Sequence, residues 1–172
     1  MNLRSLVLNE ILPRVSKPAQ YLGTEWNAVH KDTDAVELRV CLAFPDLYEL
    51  GLGNLGLHLL YAILNRLPWC WAERAYAPAP DLEAVLRARG TPLFTLESKT
   101  PLAEMDFIGF TLQSELTYTS VLNMIDRAGL PLRSNQRANA HPIIVAGGPG
   151  ALNPDPMAPF IDAFVVGDGE EA

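Results

Sequence analysis

Three short segments carry residues able to hold a polar ligand: Asp46-Leu47-Tyr48-Glu49-Leu50-Gly51, Ser114-Glu115-Leu116 and Gly147-Gly148-Pro149-Gly150. Ser114 is placed to cap a helix beginning at Leu116, and a hydroxyl at a helix N-terminus suits a polar ligand group. Gly147 and Gly148 let a ligand approach the backbone, because no Cβ stands in the way. Plainer roles are available to the same residues. Asp46 after Pro45 starts a turn, Gly51, Gly53 and Gly56 let a helix pack close to a sheet, and the Gly-Gly-Pro-Gly run makes a tight turn. No residue stands out as a catalytic acid, base or nucleophile. The two cysteines, Cys41 and Cys70, are too few for a disulfide scaffold, a four-cysteine zinc site or a self-contained iron–sulfur cluster, and read as inert buried thiols.

The elements that position these segments alternate at short spacing. Residues 36–44 alternate and then run apolar, as a strand buried on both faces should. A helix is expected from Leu52, with Leu55, Leu59, Leu60, Ile63 and Leu64 at helical spacing and Pro68 as its outer limit. Further strands are expected at 71–76, 107–112, 143–147 and 162–166, with helices from Asp81 to Gly90 and from Leu116 to Gly129. Residues 92–98 read as a short extended piece. This pattern implies βαβ units and an α/β fold: a Rossmann-like, flavodoxin-like sandwich with a mostly parallel five-stranded sheet in the order 2-1-3-4-5. Ligands of such sheets sit beyond the carboxyl ends of the strands, where all three segments fall. Residues 1–35 read as a short apolar helix and an arm, and residues 36–172 as the domain. Trp26, Trp69 and Trp71 are expected to anchor packing.

Composition narrows the class. Lys and Arg total 13 against 20 Asp and Glu, so the 172-residue chain carries a net charge of −7 and makes a poor nucleic-acid or anionic-membrane binder. Hydrophobic residues are 49% and charged residues 19%, enough to fill a core. No apolar run reaches the roughly 18 residues of a membrane span, and Glu10 and Arg14 interrupt any signal peptide. A cytoplasmic location is expected. The chain reaches GDGEEA directly after a strand, which reads as a point inside a longer polypeptide.

The order Asp46-x-Tyr48-x-x-Gly51, then Ser114-x-Leu116, then Gly147-Gly148 resembles the Asp-x-His-x-x-Gly, Ser-x-Leu, Gly-Gly signature of cobalamin-binding domains. The stretch GGPGALNPDPMAPFIDAFVVGDGE resembles the end of the N-terminal domain of cobalamin-type radical S-adenosylmethionine (SAM) enzymes, and AFPDLYELGLGNLGLHLLYAIL and DFIGFTLQSELTYTSVLNMI are similar to a bacterial family within that group. The resemblance runs from about Arg14 to the last residue. It implies cobalamin held by Asp46, Tyr48, Gly51, Ser114, Leu116, Gly147, Gly148 and Pro149. It also implies a downstream radical SAM barrel that carries a [4Fe–4S] cluster and S-adenosylmethionine, for methyl transfer or radical rearrangement. Tyr48 stands where the signature has the histidine below cobalt, and His30, His58 and His141 lie elsewhere. A neutral phenol is a poor cobalt ligand, so any cobalamin here is expected to lack a protein imidazole. The alternatives are a domain without cofactor that serves as an interface for the barrel or a protein partner, and a flavodoxin-like nucleotide or flavin binder.

Overall fold

The computed structural model describes residues 2–169. Strands β1 (Leu38–Phe44), β2 (Cys70–Tyr76), β3 (Phe107–Thr111), β4 (Ile143–Gly147) and β5 (Ala163–Phe164) form one sheet. Every neighbouring pair is parallel and the order is β2-β1-β3-β4-β5. The α/β fold and the strand order are therefore those expected, with β1 inside the sheet. Register places Leu42 beside Arg74 of β2 and Gly109 of β3, and Gly109 beside Val145 of β4, so these four share one face. Cys41, Ile108 and Ile144 share the other.

The chain opens with α1 (Leu3–Leu6), which continues through a π-helical stretch, Val7–Ile11, and a tight turn, Leu12–Arg14, burying Val7, Ile11 and Leu12. After β1 come α2 (Tyr48–Gly51) and α3 (Leu55–Arg66). The sequence pattern suggests one helix from Leu52. The structure breaks it at Asn54, whose side-chain oxygen accepts from the Leu57 amide at 2.8 Å and starts a fresh helix. Helix α4 (Pro80–Arg89) opens on Pro80 with Asp81 and Glu83 in its first turn, ends on Arg87 and Arg89, and is closed by Gly90 at φ 61°. Helix α5 (Tyr118–Arg127) begins later than expected, after a 3-10 turn, Glu115–Thr117.

Right-handed crossovers assign the helices to faces. Helix α3 carries the chain from β1 outward to β2, whereas α4 and α5 carry it the other way, so α3 lies on one face and α4 and α5 on the other. The α3 face is the Leu42 face, because α3 packs along β2 and Asn65 exchanges two hydrogen bonds with the Ala72 backbone. On that face no described helix covers β3, β4 and β5.

Strand β2 is an edge, and an edge exposes unpaired backbone groups. Here they are covered. Leu96 donates its amide to the Arg74 carbonyl at 2.7 Å, and the Glu97 carboxylate accepts from the Arg74 amide at 2.8 Å. The extended piece expected at 92–98 is thus an edge cover, with a single bridge between Phe94 and Pro101.

Gly51 lies beneath the Tyr76 ring. A Cβ there would stand 2.3 Å from Tyr76 Cε1 and 2.8 Å from Phe44 Cδ1. Gly51→Ala should therefore cost roughly 1–3 kcal/mol, the usual range for overpacking. A lower urea midpoint is the readout, and an unchanged one would mean that the ring swings aside freely.

Candidate functional site

Parallel strands bring all their carboxyl ends to one end of the sheet, and a cleft of about 450 Å³ opens there beside α3. Its floor is Leu42, Gly109 and Val145, and Leu55, Leu59 and Leu60 of α3 form its wall. Gly147, Gly148 and Pro149 form one lip, and the segment Gly167–Gly169 forms the other. A volume of this size falls within the roughly 300–1,000 Å³ range of small-molecule sites.

The floor is low because it is glycine. A Cβ at Gly109 would meet nothing closer than 3.8 Å, and one at Gly147 nothing closer than 3.7 Å, so a Cβ fits at either in ordinary contact and a longer side chain would take up cleft space. Gly148 has a different constraint. Its φ is 91°, and a Cβ would stand 3.0 Å from the Leu112 carbonyl, so only glycine fits without strain. At this end of the sheet Leu55, which lines the cleft, is 80% exposed, and Leu116 after β3 and Leu152 after β4 are 90% and 74% exposed.

Of the residues selected from the sequence, Gly147, Gly148 and Pro149 line the cleft and Leu116 stands exposed at the same end. The others have different partners. Asp46 lies in a bend, accepting from the Leu47 amide at 2.8 Å through its side chain and from the Ala77 amide at 3.0 Å through its carbonyl. Ser114 does not cap a helix with its side chain. It is extended, at φ −160°, and its carbonyl accepts from the Thr117 amide and hydroxyl. No histidine lines the cleft among the described residues. His58 Nε2 bonds the Leu52 carbonyl, and His141 Nδ1 accepts from the Ala138 amide.

Tyr48 belongs to a second constellation that sequence reasoning missed. Its hydroxyl donates to Glu25 Oε1 at 2.8 Å, and its ring stands edge-on to Tyr76. Glu25 also accepts from the Arg74 guanidinium at 2.8 Å, Arg74 Nε donates to Glu97 at 2.7 Å, and the guanidinium lies over the Tyr61 ring. Arg74 and Glu97 are buried, as is Glu73, which pairs with Arg39. Burial, together with the Glu25 carboxylate, holds the Tyr48 phenol far above its ordinary range. Glu25 is held below its own, because its backbone amide, Tyr48 and Arg74 outweigh the opposing effect of burial. Burial pulls the Lys99 ammonium down to about 8, despite Glu97 nearby. Burial, reinforced by Glu73 and Glu97, pushes the Cys41 thiol well up, in keeping with an inert role.

The network fastens the arm. Glu25 and Ala28 close a turn, Val29 donates to the Tyr61 hydroxyl, and Trp71 donates to the Val29 carbonyl. At the tip of that turn Trp26 is fully exposed, so it is no packing anchor; Trp71 is buried and Trp69 half out.

Fold and cleft define the class first: a doubly wound parallel α/β domain with an open, glycine-floored site at the carboxyl end of its sheet. Residues 56–172 match the N-terminal region of radical SAM proteins, and the chain belongs to that family. The match covers α3 from its second residue, Gly56, the cleft floor from β3 onward and both lips; the arm, β1, Tyr48 and Leu55 precede it. No curated protein matches the chain. No helix among the described residues is long and apolar enough to cross a membrane, and no three His, Cys, Asp or Glu side chains there are grouped to hold a metal ion. The family implies a radical SAM domain that uses S-adenosylmethionine and a [4Fe–4S] cluster. The two cysteines here cannot supply the three-cysteine motif of that cluster.

Proposed function

We propose that the domain binds cobalamin and presents it to the radical SAM domain of the same polypeptide. The observation that carries this reading is the cleft at the carboxyl end of the sheet, kept shallow-walled by Gly109 and Gly147, where a bulkier side chain would take up ligand space. Gly147, Gly148 and Pro149 would hold the nucleotide tail there, and the exposed Leu55, Leu116 and Leu152 would meet the lower face of the macrocycle. When bound, cobalamin supplies a cobalt centre for methyl transfer or radical rearrangement. Tyr48 is engaged by Glu25, His58 and His141 have partners elsewhere, and His30 is not among the cleft's lining residues, which leaves that cobalt without a protein imidazole. Asp46, Tyr48 and Gly51 serve this site by fixing the loop after β1.

The test is to mix the protein with hydroxocobalamin, remove free cofactor by desalting and record the visible spectrum. Retained corrin bands in stoichiometric amount are expected. Loss of all corrin on desalting would turn the assignment to an interface domain without cofactor, and flavin absorption in the protein as purified would turn it to a flavodoxin-like binder.

A further inference from the structure

The sheet face beside α3 is finished over β1 and β2 and open over β3, β4 and β5. Ile143 is 47% exposed, Ala163 is exposed, and Phe107, Val145 and Val165 are half-buried, all on the Leu42 face by register. The same strands are closed on the reverse side, where Ile108, Phe110, Ile144 and Ala146 are buried. A purely parallel sheet is stable when helices cover both faces, so this strip lacks a layer.

The path of the chain indicates what supplies it. Past β5 the backbone turns at Gly167, φ 111°, and crosses the mouth of the cleft toward α3. A Cβ at Gly169 would stand 3.9 Å from Leu60 Cδ2 on that helix. The polypeptide therefore arrives between α3 and the open strip, on the uncovered face. Family membership places a radical SAM domain in the same polypeptide.

We infer that the segment leading into the radical SAM domain packs an amphipathic helix over β3, β4 and β5, alongside α3, and so docks that domain on this face. The apolar side of the helix meets Phe107, Ile143 and Ala163, none of which lines the cleft. It closes the lower part of the strip and leaves the cleft open at the carboxyl end. This inference concerns a protein surface and holds whether or not a corrin binds.

The experiment uses the intact radical SAM protein without added cofactor. A thiol is introduced at Ala163, and a control thiol at Ala140, which is exposed in the turn that precedes β4. Reaction with a maleimide is read at the introduced thiol itself by peptide mass mapping, because the intact protein also carries the cluster cysteines; Cys41 and Cys70 are buried. Ala163→Cys is expected to react at least tenfold more slowly than Ala140→Cys, with equal reaction after denaturation. Equal rates in the native protein would overturn the inference. So would protection that disappears on dilution, because the face would then be covered by a second copy. Because no cofactor is present, this outcome is independent of the hydroxocobalamin result.

Discussion

Arg74→Met is expected to destabilise the domain by about 3–5 kcal/mol, the range for stranding one partner of a buried ion pair. Both Arg74 and Glu97 are wholly buried, and Arg74 Nε stands 2.7 Å from Glu97 Oε1. Burial already pushes the Glu97 carboxyl up, even with Arg74 beside it. Without Arg74 it would rise further and take up a proton in the folded state. A carboxyl whose folded pKa lies above its unfolded value binds more protons when folded, so its contribution is complete at low pH and is lost as pH rises through the folded pKa. The penalty should therefore be larger at pH 7 than at pH 5. Glu97 also accepts from the Arg74 backbone amide, so the informative partner change is Glu97→Gln, which keeps an acceptor and removes the charge. Arg74→Met with Glu97→Gln should recover most of the loss in urea unfolding. A penalty below about 1 kcal/mol, equal at both pH values, would mean that the pair is solvated.

This network explains what the sequence could and could not disclose. The sheet was legible because each strand is an apolar run and each connecting helix has its own local marks: Pro80 and Gly90 around α4, or the leucine spacing of α3. Gly147-Gly148 at a strand end was legible as a place where backbone is approached, and it does line the cleft. The charge network has no local signature. Glu25 finds Tyr48 at 23 residues' separation and Arg74 at 49, and nothing periodic links them. Two charged residues in succession, Glu73-Arg74, ordinarily mark a solvated strand; here one points to each face and both are buried. For the same reason Tyr48 was legible as a motif position but not as the arm's fastening. Ser114 fails as a cap because a 3-10 turn intervenes, and the turn satisfies the helix start through the Ser114 carbonyl instead of its hydroxyl. The open strip was invisible, since the strands that carry it look doubly buried from their composition.

Gly109→Val should move cofactor retention and stability in opposite directions. A glycine inside a strand weakens it by roughly 0.5–1 kcal/mol relative to alanine, and a β-branched residue suits the pleated backbone better still. At Gly109 the new Cβ meets nothing closer than Leu42 Cδ2 at 3.8 Å, so β3 has room for a side chain to begin there and the thermal midpoint should hold or rise. The added methyl groups occupy the cleft floor between Leu42 and Val145, where the cobalamin reading places the nucleotide tail. Forcing a ligand against such groups costs about 1–3 kcal/mol, which at 1.4 kcal/mol per decade is a loss of roughly 5- to 140-fold in affinity. Retention of hydroxocobalamin by the variant should fall by that factor, while cobinamide, which has no nucleotide tail, should bind as it does to the wild type. Loss of both would place the macrocycle itself in the cleft. Undiminished retention of hydroxocobalamin by a folded Gly109→Val protein would remove the cleft from the cofactor site and return the open face, cleft included, to the docking of the radical SAM domain.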